Sequence, residues 1–184
     1  MTELIILFFL IFLNGFFSMA EIALVSSRKA RLEGQAGKGD QKAKKALNLA
    51  LHPDKFLSTV QIGITTIGIL TGIYSGDKMI DDVAAYLHTI QMFSAYSNGI
   101  ATAIVVIMIT FFSLVFGELV PKRLGMASPE SIAKTVAAPM MLISKIAHPF
   151  VWLLTRTSGF ILRLFRISSD DSFVTEEEIK AIIS

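Results

Sequence analysis

Cysteine is absent from the 184 residues, which excludes disulfides, thiolate metal sites and cysteine nucleophiles. Charge is scarce as well: charged residues make up 17% of the chain and the formal net charge is +2. A binder of nucleic acid would carry a much stronger basic bias, so no nucleic-acid partner is expected. His52, His88 and His148 stand apart in loops or at an interface, and none belongs to a metal-spacing motif. No Ser/His pair, His-Glu-x-x-His or aspartate pair falls inside an apolar stretch, so the chain does not read as an enzyme. What is present is apolar. Hydrophobic residues reach 53%, with 14 Phe and 8 Met, and they come in long blocks, as membrane spans do.

Three blocks reach the ~20 residues that a hydrocarbon core requires: Leu4 to about Val25, Phe56 to about Tyr74, and Ile100 to about Val120. The first is an anchor rather than a cleaved leader. Only Thr2 and Glu3 stand between the initiator and Leu4, and Arg28-Lys29-Ala30-Arg31 follows. Between the first two blocks lie Arg28, Lys29, Arg31, Lys38, Lys42, Lys44, Lys45 and Lys55 against Glu33, Asp40 and Asp54. Between the second and third, Lys78 faces Asp77, Asp81 and Asp82. The positive-inside rule then puts the N-terminus outside and the first loop in the cytoplasm, with Lys122-Arg123 returning to the cytoplasm. The expected location is the inner (plasma) membrane, crossed several times. Within the basic loop, Asp40 to Leu51 reads as an amphipathic helix, separated by Gly34, Gly37 and Gly39 from a preceding turn and stopped by His52-Pro53.

From Ser131 to Arg166 the chain is again apolar, yet Lys134, Lys145, Arg156, Arg163 and Arg166 follow one another at steps of 11, 11, 7 and 3. At about 100° per residue those positions stay within roughly 80° of one another. One basic stripe opposite Met, Leu, Ile, Phe and Trp152 describes a helix lying on the cytoplasmic leaflet, bent at Pro139 and Pro149. The alternative is a fourth span. After Ser168 the composition turns polar, and Thr175 with Glu178 forms a capping box for a soluble helix. Residues 1–167 therefore read as a membrane domain, and 168–184 as a linker and the start of a cytoplasmic domain. The fold class expected is an all-α membrane protein: three transmembrane helices plus a cytoplasmic-side amphipathic juxtamembrane belt.

Polar residues inside the spans carry the functional argument. Asn14, Ser18 and Glu21 share a face of the first span, and Gln61, Thr65, Gly68 and Gly72 share one in the second. In the third, Thr110, Ser113 and Gly117 run along one side, with Glu118 one step around. Such stripes are expected to face one another. Pro121 has no N–H, so the Gly117 carbonyl four residues back loses its helical partner. A freed carbonyl beside the Glu118 carboxylate is a pair of hard oxygen ligands. With Ser18, Gln61 and Thr65 they fit a Mg²⁺ site in the cytoplasmic half of the spans. Asn14, Glu21, Ser113 and Pro121 are candidates for a supporting or coupling-ion role. Blander readings stand beside these. Ser58, Thr66, Thr71, Thr102 and Thr110 are expected to bond their own backbone, and Gly63, Gly68 and Gly72 to pack helices. Asn14 is equally well interhelical glue, Glu21 a partner for Arg28, and Glu118 a side chain snorkelling towards Lys122.

The stretches Leu13-Asn14-Gly15-Phe16-Phe17-Ser18-Met19-Ala20-Glu21, Gln61-Ile62-Gly63-Ile64-Thr65-Thr66-Ile67-Gly68 and Gly117-Glu118-Leu119-Val120-Pro121-Lys122-Arg123 resemble the transmembrane domain of the CorC/cyclin M (CNNM) family. The resemblance runs over about residues 4 to 166. It implies a homodimer in membrane lipid, with a cytoplasmic CBS-pair domain that binds ATP, and Mg²⁺ export coupled to Na⁺ entry. It also implies Ser18, the Gly117 carbonyl and Glu118 as ligands. The second span departs from members that carry asparagines after the glycine at position 63. Here Ile64, Thr65 and Gly68 stand there instead, which opens the cargo to another divalent ion or to an organic cation such as a polyamine. A regulator of cation balance that does not itself transport is the rival from another class.

Overall fold

The structure is a computed structural model that describes residues 2–74, 77–90 and 96–164. Among these there are helices and no strands: α1 (Thr2–Ser26), α2 (Lys29–Gly37), α3 (Gln41–Leu51), α4 (Pro53–Tyr74), α5 (Asp77–His88), α6 (Ser97–Leu114), α7 (Val120–Ala127) and α8 (Pro129–Leu164). A single π-helical turn, Val115–Leu119, joins α6 to α7. The all-α membrane fold is thus present. Four stretches, Glu3–Ser26, Pro53–His88, Ser97–Ala127 and Pro129–Leu162, are long and apolar enough to cross a membrane. Length and composition alone therefore admit α8 as a span beside the three read from sequence. The expected linker 168–184, with Thr175 and Glu178, and the basic position Arg166 lie outside the described residues.

Two compact units divide the chain at His148 and Pro149. The first is organised around α1, which packs along α4 and against the π turn and α7. Leu10, Phe17, Ala20 and Leu24 of α1 meet Phe56, Val60 and Ile67 of α4. Leu32 of α2, Ala46, Leu49 and Ala50 of α3, and Ala133, Val136, Ala137 and Met140 of α8 close the same core. The α8 positions recur at three and four residues, the spacing of one buried helical face. Thr59 Oγ1 lies 3.2 Å from Ser144 Oγ, joining α4 to α8 as well. A smaller cluster of Ala84, Leu87 and Ala101 pairs α5 with α6, where Ser97 Oγ and His88 Nε2 are 2.8 Å apart.

The basic loop is more ordered than a helix after a turn. Asp40 does cap α3, its carboxylate accepting from the Lys42 and Ala43 amides at 2.9 and 3.1 Å. Gly34, however, sits inside a second helix, α2, because its neighbour Leu32 is fully buried and holds the segment against the core. The chain turns between α2 and α3 at Gly39, whose φ of 93° suits a residue without Cβ. Asp40 also receives the Lys134 ammonium at 3.1 Å, tying this loop to the start of α8.

In the second unit the described residues are the C-terminal part of α8. Arg156 stacks over the Trp152 ring at 5.7 Å, and Thr155 and Thr157 bond back to Val151 and Leu153. Residues Pro129–Leu164 are helical throughout, Pro139 and Pro149 included.

Candidate cation site

Pro121 shapes the site through the backbone. It denies a donor to the Gly117 carbonyl, and the chain answers with the π turn, in which the Val120 amide bonds to the Val115 carbonyl five residues back. The carbonyls of Phe116 and Gly117 are thereby turned towards α1. Asn14 donates its Nδ2 to the Gly117 oxygen at 3.0 Å. One residue on, Gly15 leaves room for the other strand of the seam: a Cβ there would lie 2.7 Å from the Phe116 oxygen and 2.9 Å from Pro121 Cγ. Gly125 repeats the device further along, where a Cβ would collide with Ile22 and approach the Met19 carbonyl to 2.9 Å. Phe112 of α6, edge-on to Phe8 and stacked on Phe116, fastens the same seam on its far side.

The Gly117 carbonyl is therefore not left open, as the proline alone predicts; Asn14 holds it. Asn14 is interhelical glue in fact, and its Oδ1 is buried with no partner among the described residues. A carbonyl has a second lone pair, so the bond narrows the Gly117 oxygen's availability without ending it. Ser18 follows one turn along α1 from Asn14 and is 2% exposed. Among the described residues its hydroxyl takes no hydrogen bond, which leaves an oxygen to offer. Glu118 points away from the seam: its Oε1 accepts from Lys122 Nζ at 2.7 Å, and the two side chains are 42% and 35% exposed. The snorkelling arrangement is the one observed.

Other sequence candidates fall elsewhere. Gln61 and Thr65 are exposed, because α4 meets α1 through Phe56, Thr59, Val60 and Ile67 and lays Gly63 on the Phe17 ring. The structure does not bring them to Glu118 within one chain. Glu21 is half-buried and forms no ion pair with Arg28 among the described residues. Asn14 and Ser113 do come together, across a 130 Å³ cavity bounded by Ile11, Ile64, Ile67 and Thr71. Thr71 is the residue that sequence reasoning missed. Of the side chains expected to bond their own backbone, Thr102 does so, to Asn98 at 2.8 Å, whereas Thr71 turns its edge to this cavity. No spacing rule separates those two threonines.

Helices long and apolar enough to cross a membrane, a proline-driven π turn and close glycine seams between helices define a multi-pass membrane protein. Residues 5–184 match the family described as the cyclin M transmembrane N-terminal domain (CNNM), and the chain belongs to it. It is 48% identical over 182 residues to the UPF0053 protein sll0260 of Synechocystis, covering 98% of this chain and 41% of that one. It is 31% identical over 186 residues to the polyamine export protein of Escherichia coli, covering 100% of this chain and 41% of the relative. With the UPF0053 protein YugS of Bacillus subtilis it shares 30% over 186 residues, covering 99% and 43%. The chain thus spans about two-fifths of the length of these curated relatives.

Proposed function

We propose that this chain is the membrane part of a cation exporter whose cargo is an organic polycation of the polyamine type, bound through an ammonium group at Glu118. The carrying observation is the Glu118–Lys122 pair: at 2.7 Å, the carboxylate already holds a primary ammonium. A cargo ammonium exchanges for Lys122 with like chemistry, and the resident lysine keeps the carboxylate neutralised while the site is empty. Among the described residues no three of His, Cys, Asp and Glu meet. A divalent ion would rest on one carboxylate and neutral oxygens, a sparse set for a cation that sheds its water reluctantly. The name of the Escherichia coli relative points the same way.

Mg²⁺ export, with Na⁺ as the coupling ion, is the second reading. Ser18's hydroxyl, unbonded among the described residues, and the spare lone pair of Gly117 are hard oxygens in the seam, Glu118 would add a carboxylate on leaving Lys122, and partly hydrated Mg²⁺ accepts such ligands. The remaining assignments are proposals too. The N-terminus lies outside, the basic loops face the cytoplasm, α8 lies on the inner leaflet of the plasma membrane, and ATP binds at a CBS pair beyond this domain. A homodimer is proposed in which α4 turns its exposed Gln61 and Thr65 towards the second copy, since polar residues join helices in lipid. Cysteines introduced at Ser128 and Ser169 should both react from the cytoplasmic side only. Reaction of the second from outside would place α8 across the membrane.

Proteoliposomes of the full-length protein, loaded with labelled spermidine or with Mg²⁺, decide the cargo. Spermidine efflux that vanishes in Glu118→Gln, with Mg²⁺ flux at background, is the expected result. Glu118-dependent Mg²⁺ flux without spermidine flux would install the second reading. Flux of neither would move the chain to the regulatory class.

A further inference from the structure

A second, larger cavity of 630 Å³ opens where α1 ends, between α2, the end of α7 and the start of α8. Arg28, Arg31 and Lys134 reach it, against one carboxylate, Glu130. Lys134 is engaged by Asp40 at 3.1 Å, and Arg31 only loosely by Glu130 at 3.6 Å. Arg28 makes no ion pair among the described residues.

The backbone adds to this charge. Pro129 opens α8 without an N–H, and the Ile132 amide is already bonded to the Ser128 carbonyl at 3.1 Å. Among the described residues the amides of Glu130 and Ser131 have no acceptor, and they stand at the positive end of the helix. Ser128 and Ser131 line the same cavity. Gln35, which also lines the cavity, carries a buried Oε1 with no partner among the described residues. A buried acceptor left unmatched is unfavourable, so the cavity also calls for a donor.

We propose that this cavity binds the headgroup of an anionic glycerophospholipid, its phosphate between Arg28, Arg31 and the α8 N-terminus and a headgroup hydroxyl donating to Gln35. The place argues for a lipid rather than a soluble phosphate. α1 is a membrane helix, and its last residue, Ser26, lines the cavity, so the site stands at the boundary between hydrocarbon and water, where basic pockets meet lipid headgroups. Glu130 works against the ligand and sets its affinity. This inference does not depend on the cargo.

The test uses the full-length protein in nanodiscs, with phosphatidylglycerol titrated into phosphatidylcholine and bound lipid counted by native mass spectrometry. Wild type should retain phosphatidylglycerol selectively. Arg28→Gln with Arg31→Gln should weaken retention roughly tenfold or more, since two charge-assisted contacts are lost. Glu130→Gln should strengthen it several-fold, a change of opposite sign that survives if the double variant fails to fold. Lys38→Gln, a basic position outside the cavity, should change nothing. Equal retention of both lipids, or a loss as large in Lys38→Gln as in the arginine variant, would overturn the site. Inorganic phosphate displacing the lipid at millimolar concentration would reassign it to a soluble phosphate and overturn the lipid commitment.

Discussion

The two faces that flank α1 and α4 carry the same residue types and use them in opposite ways. Along the seam of α1 with the π turn and α7, Gly15, Gly117 and Gly125 all stand where a Cβ would meet backbone or side-chain atoms. Along α4, Gly68 borders the cavity shared with Asn14 and Ser113 and has nothing within 4 Å of such a Cβ, and Gln61 and Thr65, one to two turns before it, are exposed. A stripe of small and polar residues therefore marks a surface that wants a neighbour, but does not say which. On α1 the neighbour lies within the chain and the stripe closes on a freed carbonyl. On α4 it does not, and the stripe stays exposed in the single chain.

The sharpest way to break this contrast is to add side chains. Gly125→Val drives three extra carbons into Ile22 and the Met19 carbonyl, so the seam must part, at a cost of ~1–3 kcal/mol or more for overpacking. Thermal unfolding in detergent should show a clearly lowered midpoint or no folded protein. Gly68→Ala should leave the midpoint of the single chain unchanged. Equal damage at both positions would mean that the α4 face is closed in the protein, by a partner that the single chain does not show.

Pro121→Ala sharpens the comparison from inside the seam. It restores an N–H able to bond the Gly117 or Phe116 carbonyl, so the π turn should relax towards α-helix and compete with Asn14 for Gly117. Folding should survive. Cation affinity should fall by a factor of several, as Glu118 rotates with the backbone relative to Ser18. Unchanged affinity would reduce Pro121 to a shape-setting role with no bearing on the site.

On the open face, the absence of native cysteine makes a clean probe. A single cysteine at Thr65 should form an intermolecular disulfide under mild oxidation, and one at Tyr86, exposed on α5, should not. The reverse pattern would move the dimer contact off α4.

The smallest effect concerns pH and lies outside the membrane. The Ala43 amide and then Lys134 stabilise the Asp40 carboxylate, holding its pKa below the ordinary aspartate value. Since the folded pKa is the lower one, the unfolded state binds the proton first as pH falls. The contribution is whole above the unfolded pKa and disappears as pH drops through the folded one. Asp40→Ala should lower the thermal midpoint slightly at neutral pH and flatten its decline below about pH 4. An unaltered acid profile would place the acid sensitivity elsewhere.

Much of the fold was legible because membrane spans are long, apolar and bounded by charge. The Leu4, Phe56 and Ile100 blocks correspond to α1, α4 and α6 with its π turn, and Asp40 announced α3. What escaped was α2, read as a turn because Gly34 weakens it locally; burial of Leu32 overrides that propensity. In the candidate site, Pro121 and Glu118 stood out by type, and the freed Gly117 carbonyl followed from proline chemistry. That Asn14 would take it did not follow, since three-residue arithmetic on one helix says nothing about rotation against another.

Composition and local chemistry alone determined that this chain is helical, lives in a membrane, and breaks its third span at a proline beside a carboxylate. Those outcomes depend on each segment's own hydrophobicity and on an N–H that proline lacks. The tertiary structure decided which oxygens are open: Gly117 is held by Asn14, Glu118 is neutralised by Lys122, and Gln61 and Thr65 face outward. The reason is geometric. Helices meet where glycine lets backbones approach, and that choice among faces exists only once all the helices are in place.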